Sequence, residues 1–206
     1  MKKLLSLILC MIMVLTTFIV PAGSAEIQKP NEPTTQEMEA IIKIVRPKID
    51  VPWDFTEFQW HYSSPSYYSR ATWHLSWNKK DYSGHISISC DTDGNITSYD
   101  YYRDDFDRIP SLPDKAPEEY LPTVEAFIKK TAPYASGKIS LTETNSNSLR
   151  NHCYNYIFNR TENGIIVPDN FINISIDYTN STIRSFSANF DIGASFENKE
   201  NIITEE

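Results

Sequence analysis

Two stretches of this chain alternate apolar and polar residues in the same order, and they read as copies of one design. In the first, Trp73, Leu75 and Trp77 alternate with His74 and Ser76; Ile86, Ile88 and Cys90 then alternate with Ser87 and Ser89. In the second, Tyr154, Tyr156 and Phe158 occupy the places of Trp73, Leu75 and Trp77, and Ile172, Ile174 and Ile176 those of Ile86, Ile88 and Cys90. A period of two places successive side chains on opposite faces, so each run predicts a strand with one buried face. Asp91, Ile96 and Tyr99 likewise match Asp177, Ile183 and Phe186, so each copy closes on a hairpin with a polar turn. Similarity repeated in this way predicts one supersecondary unit used twice.

Ahead of each set of strands the period lengthens to that of a helix. Met38, Ile41, Ile42 and Val45 follow i, i+3, i+4, i+7, with Thr34 or Thr35 as cap and Pro47 and Pro52 beyond the end. Tyr120, Val124, Phe127 and Ile128 draw the second stripe over residues 118–131, which Pro133 and Gly137 close. A first strand is expected around 55–62 from the alternation of Phe58 and Trp60, with "YSSPSYYS" as the turn after it. "DTDGN" supplies the Asp-Gly of a tight hairpin turn. In the second copy Ile139 and Leu141 open the first strand, "TETNSNSLRN" reads as a polar hairpin loop, and "TENGIIVPDN" as a longer connection. Each copy is thus one amphipathic helix on three or four antiparallel strands, an α+β arrangement.

The ends add a destination. Lys2 and Lys3, an apolar run from Leu4 to Val20, and Pro21-Ala22-Gly23-Ser24-Ala25 form an export signal with cleavage expected after Ala25. The segments are then a signal peptide (1–25), a polar leader (26–35), repeat one (36–109), a proline-bearing linker (110–117), repeat two (118–196) and a charged tail (197–206). The expected location is secreted or cell-surface, with no membrane association after cleavage. The whole chain holds 19 basic and 27 acidic residues; losing Lys2 and Lys3 leaves 17 basic ones, a net charge near −10. Such a surface repels phosphate backbones, so nucleic acid is not an expected partner. Cys90 and Cys153 remain in the mature chain, where export permits a disulfide between them, while Cys90 fills the slot of Ile176, the place of a small buried hydrophobe.

Candidate chemistry is sparse. "DTDGN" has its glycine at position four and Tyr102 at position twelve, against the six and twelve of a calcium loop. Asp104, Asp105 and Asp107 could hold a hard cation, but a carboxylate run flanked by Arg103 and Arg108 reads as a solvated loop. His61, His74, His85 and His152 show no zinc-ligand spacing, although His74 and His85 stand on neighbouring strands. Cys153 follows His152 directly, and sequence neighbours on a strand point to opposite faces. No catalytic residue, metal or cofactor is expected, and the chain reads as non-enzymatic. Aromatics are the residual interest. Trp60, Trp73 and Trp77 belong to the core pattern, whereas Trp53, Tyr67, Tyr68, Tyr101 and Tyr102 are the candidate binding residues for a peptide or a sugar.

The second copy resembles the YcdB/YcdC repeated-domain family, a PepSY-like group of exported Gram-positive bacterial proteins. Phe158, Arg160, Asn163, Gly164, Ile165, Val167, Pro168 and Asp177 stand on that family's motif positions, and Asp91, Gly94 and Ile96 match its shorter form in the first copy. The chain departs from it at the turn "DYTNST", where glycine is usual, and at Phe190 in place of a closing tryptophan. The resemblance implies a fold of two tandem PepSY-like units and a binding role, with a protein or peptide, a peptidase among them, as partner. A cell-wall glycan gripped by the exposed aromatics is the alternative.

Overall fold

The computed structural model describes residues 32–67, 70–104, 112–146 and 152–196. The expected signal peptide, residues 26–31 of the leader, and the tail lie outside the described residues, as do Tyr68, Asp105 and Asp107.

Helix α1 spans Thr35–Val45. Of the two candidate caps Thr34 is the one used: its Oγ1 accepts from the Glu37 backbone N–H at 3.2 Å, and Glu37 Oε2 accepts from the Thr34 N–H at 2.6 Å. Met38, Ile41 and Val45 form the buried face. Four strands follow: β1 (Glu57–Ser63), β2 (Thr72–Asn78), β3 (Gly84–Cys90) and β4 (Ile96–Arg103). A 3₁₀ turn at Pro117–Tyr120 leads into helix α2 (Leu121–Thr131), and then come β5 (Ile139–Ser146), β6 (Cys153–Glu162), β7 (Ile165–Asp177) and β8 (Thr182–Asn189). The described residues contain no helix long and apolar enough to cross a membrane.

The strands form one antiparallel sheet in the order β1-β2-β3-β4-β8-β7-β6-β5. Two units, each with its own sheet, were expected; instead β4 and β8 join the halves through Ser98↔Ser187, Tyr99↔Phe186 and Asp100↔Ser185. Helix α2 covers that seam. The Phe127 ring lies 5.3 Å from Tyr99 and 6.0 Å from Phe186, and Tyr134 donates to the Ile96 carbonyl at 3.1 Å. The helices and the inward faces of the strands share one core, in which Trp73, Leu75, Trp77, Ile86, Ile88, Tyr156, Phe158, Ile172 and Ile174 are buried.

Two connections differ from the sequence reading. The first part of "TETNSNSLRN" is strand, because β5 runs to Ser146. "TENGIIVPDN" is a tight turn followed by strand: Asn163 and Gly164 both adopt positive φ, +53° and +79°, as a two-residue hairpin turn requires, and β7 starts at Ile165. Pro168, which has no N–H to give a ladder, sits where the β6–β7 register jumps from Val167 to Phe171.

The matched aspartates Asp91 and Asp177 are turn caps. Asp91 Oδ1 accepts from the N–H groups of Asp93 and Asn95 at 2.9 and 2.8 Å, and Asp177 Oδ1 accepts from Thr179 N–H and Oγ1 at 2.8 and 2.6 Å. Gly94, at φ +76°, lets the first of these turns lie against α1. A Cβ there would come within 2.6 Å of Ile44 Cγ2, and Lys48 Nζ donates to the Gly94 carbonyl at 2.8 Å.

Candidate functional site

The pairing register decides which candidate aromatics can act together. Glu57 faces Asn78 across β1–β2, Asn78 faces His85, and Gly84 faces Arg103. The segment before β1, the β2–β3 turn and the end of β4 therefore share one end of the sheet. The β1–β2 loop, with Tyr67, and the β3–β4 turn share the other. Trp53 (92% exposed) and Tyr67 (94% exposed) are thus separated by the length of a seven-residue strand, about 20 Å. Tyr101 and Tyr102 divide in another way, because neighbours on a strand face opposite sides. Tyr101 is half-buried on the core side with its ring 5.8 Å from Phe55, while Tyr102 stands on the open face 5.6 Å from His85 and donates to Asp104 Oδ1 at 2.7 Å. The four described members of the set, Trp53, Tyr67, Tyr101 and Tyr102, do not converge on one platform.

One aromatic outside that set stands at Trp53's end. Tyr82, in the β2–β3 turn, is 82% exposed and adopts φ +59°. The chain neighbours of these two aromatics, Asp54 and Asp81, with Lys79 and Lys80, line a polar hollow at that end. Lys79 Nζ lies 3.0 Å from Asp54 Oδ2 and 5.8 Å from the centre of the Phe55 ring. The hydrogen bond from Lys79 holds the Asp54 carboxyl below its ordinary pKa. The signal available in the sequence was a tyrosine inside an otherwise polar turn, "KKDYSG", where no core pattern calls for it.

The face turned away from the helices carries small polar side chains. One row crosses all eight strands: His61, His74, Ser89, Ser98, Ser187, Asn173, Ile157, Glu143. His74 sits between two hydroxyls, Nε2 3.2 Å from Ser63 Oγ and Nδ1 3.0 Å from Ser89 Oγ, with its ring stacked on His61 at 6.0 Å. Burial, and the charge His61 can carry, hold His74 below the ordinary imidazole pKa. His74 and His85 do not meet; His85 Nε2 faces Asp100 Oδ1 at 3.3 Å. Among the described residues no group of three or more His, Cys, Asp or Glu side chains is arranged to hold a metal ion.

Cys90 and Cys153 are both buried and unpaired by disulfide. Burial raises the Cys90 thiol to about 12 and also raises that of Cys153, where Arg184 Nη1 lies 3.6 Å from Sγ. An activated thiol needs the opposite shift. His152, beside it in sequence, is buried at φ +50° with its ring edge-on to Tyr178.

The outer edges of the sheet are β1 and β5. Beside β5 runs a cleft of about 370 Å³ between the strand and α2, lined by Ile128, Lys129, Gly137, Ile139, Leu141 and Phe158. Leu141, 39% exposed, stands at a register shift of the strand. Further along that end of β6, Arg160 is 2% exposed and gathers the segment after β8. Its Nε and Nη2 each lie 2.7 Å from Glu162 Oε1, Nη1 donates to the Asp191 carbonyl at 2.8 Å, and Nη2 to that of Ala194 at 3.0 Å. The guanidinium lies over Phe190 at 5.0 Å and Phe196 at 4.5 Å. The motif arginine is a structural clasp.

Residues 36–189 match the family model described as the YcdB, YcdC repeated domain. No curated protein matches the chain. Among solved structures, the Bacillus megaterium YpeB C-terminal domain is similar, with a TM-score of 0.52 and 10% sequence identity over 77% of this chain. The match spans 64% of that structure, and at this identity the likeness concerns the fold.

Proposed function

From the chain's membership of the YcdB/YcdC repeated-domain family, we propose that it is an exported, non-enzymatic binding module that takes up an extended peptide, such as a segment of an exported peptidase, along β5. Each half, α1 with β1–β4 and α2 with β5–β8, is one PepSY-like unit in this reading, the second joined to the first through β4–β8.

The observation that carries the proposal is an open strand edge beside an apolar cleft. An edge strand presents unpaired N–H and C=O groups that a second extended segment can satisfy, and pockets for alternate side chains supply selectivity. At β5 the ladder lies next to Ile128, Leu141 and Phe158, so a peptide added there has backbone partners and a cavity within the range of small-ligand sites. The Glu125 and Lys129 side chains at the cleft margin offer charges of both signs to its flanks.

The test is an array of extended peptides, exported-peptidase segments included, probed with residues 26–206, followed by hydrogen exchange on the complexes. Slowed exchange over Ile139–Ser146, with binding lost on Leu141→Asp, is the expected result. Failure to retain any peptide, or binding that leaves β5 exchange unchanged, refutes the assignment.

A further inference from the structure

Tyr82 is costly where it stands. A tyrosine at positive φ is strained relative to glycine or asparagine, and a ring 82% exposed recovers nothing from burial. Trp53 is equally unused by the core, and a tryptophan in water forfeits the largest apolar surface of any side chain. Both rings are tied to one fixed point. Trp53 precedes Asp54, whose carboxylate holds Lys79 at 3.0 Å, and the Lys79 carbonyl accepts from the Tyr82 N–H at 3.0 Å. Lys79 and Asp54 are themselves mostly covered, with side chains 17% and 28% exposed, and Asp81 Oδ1 is fixed by the Ser83 N–H at 3.0 Å and its hydroxyl at 2.7 Å.

We infer that this end of the sheet binds carbohydrate, with Trp53 and Tyr82 stacking on the C–H faces of pyranose rings. The hollow lined by their chain neighbours meets the hydroxyls. Asp54 and Asp81 accept from sugar O–H groups, while Lys79 and Lys80 donate to ring and hydroxyl oxygens. Two carboxylates and two ammonium groups balance, which fits a neutral or N-acetylated sugar better than a charged one. Two rings on separate segments fit consecutive units of a chain rather than a single monosaccharide. The site lies at the β1 side of the sheet and β5 is the opposite edge, so it stands apart from the peptide reading.

The experiment is calorimetric titration of residues 26–206 with β-1,4-linked hexamers of N-acetylglucosamine and of glucose. Binding to at least one hexamer is expected. Trp53→Ala and Tyr82→Asn should each weaken it about tenfold, the value of one lost stacking contact. Both side chains are solvent-exposed, so the variants keep the fold, and Tyr67→Ala at the far end leaves affinity unchanged. Absence of binding to either hexamer at millimolar concentration, affinity that survives both substitutions, or affinity lost with Tyr67→Ala overturns the assignment. Peptide binding at β5 is measured on the same variants and stays constant, so failure of one reading is separable from failure of the other.

Discussion

Replacing Arg160 by methionine removes the guanidinium while keeping most of the side chain's apolar volume. The buried group makes two hydrogen bonds to carbonyls of the segment after β8, one ion pair with Glu162 and two ring contacts. A hydrogen bond from a charged group contributes about 1.5–3 kcal/mol, and leaving the carbonyls and a part-buried carboxylate unpaired adds to the loss. Methionine recovers some of this by packing against Phe190 and Phe196, and the Glu162 carboxylate, 26% exposed, regains water. The net expectation is a loss of about 2–4 kcal/mol, a large share of the roughly 5–15 kcal/mol that holds a domain together. For a chain of this size that lowers Tm by roughly 4–16 °C. Urea unfolding with a common m-value measures the loss, and hydrogen exchange locates it, with fast exchange expected at Asp191–Phe196 before the strands. Arg160→Lys keeps the charge but not the planar fork, so it recovers less than half. A methionine variant within about 0.5 kcal/mol of the parent, the spread of ordinary surface substitutions, would refute the clasp.

Gly94→Ala forces a Cβ against Ile44 and a side chain into left-handed backbone, so a loss of about 1–3 kcal/mol by urea unfolding is expected, with Ile44→Ala in the same chain restoring part of it. Tyr82→Asn relieves the left-handed strain and should raise stability by about 0.5–1 kcal/mol, a gain set against lost sugar affinity. Because the folded chain holds His74 below the ordinary imidazole value of about 6.5, the unfolded chain takes up that proton first as pH falls. The contribution of neutral His74 is complete above that value and declines as pH drops through it towards the lower folded pKa. His61→Gln removes one of the two causes, so the His74 ring should titrate at higher pH by NMR in that variant; an unchanged titration would break the link between the two rings.

What could be read from the chain was what local periodicity encodes. Trp73, Leu75 and Trp77 announce their shared face within five residues, and Thr34 with Glu37 announces a helix start within four. The seam between β4 and β8 sends no such signal, because Tyr99 and Phe186 are far apart in sequence and either would be at home on an outer strand with a covered face. The extension of β5 was hidden by composition: Thr, Glu and Asn on an edge strand look like a loop when half their backbone is exposed. Arg160 was visible as a motif residue but not as a clasp, since its carbonyl partners lie 31 and 34 residues away. The described aromatic candidates are dispersed for a geometric reason. Tyr101 and Tyr102 are adjacent in sequence and so face apart, while Trp53 and Tyr67 sit at opposite ends of one strand. The positive φ that sets Tyr82 at Trp53's end of the sheet was obscured because a backbone angle cannot be read from composition.

The strand order also sets a sequence of events as the chain emerges, N-terminus first. β4 emerges with its outer rim bare, and the neighbour that belongs there, β8, is the last of the described strands to follow. Until then the nascent first half carries two sticky rims instead of one, and the second half must grow from its periphery, β5, inward. The keystone of the finished arch is therefore laid last, and any delay in the arrival of β6 or β7 prolongs the interval in which β4 is open to the wrong neighbour.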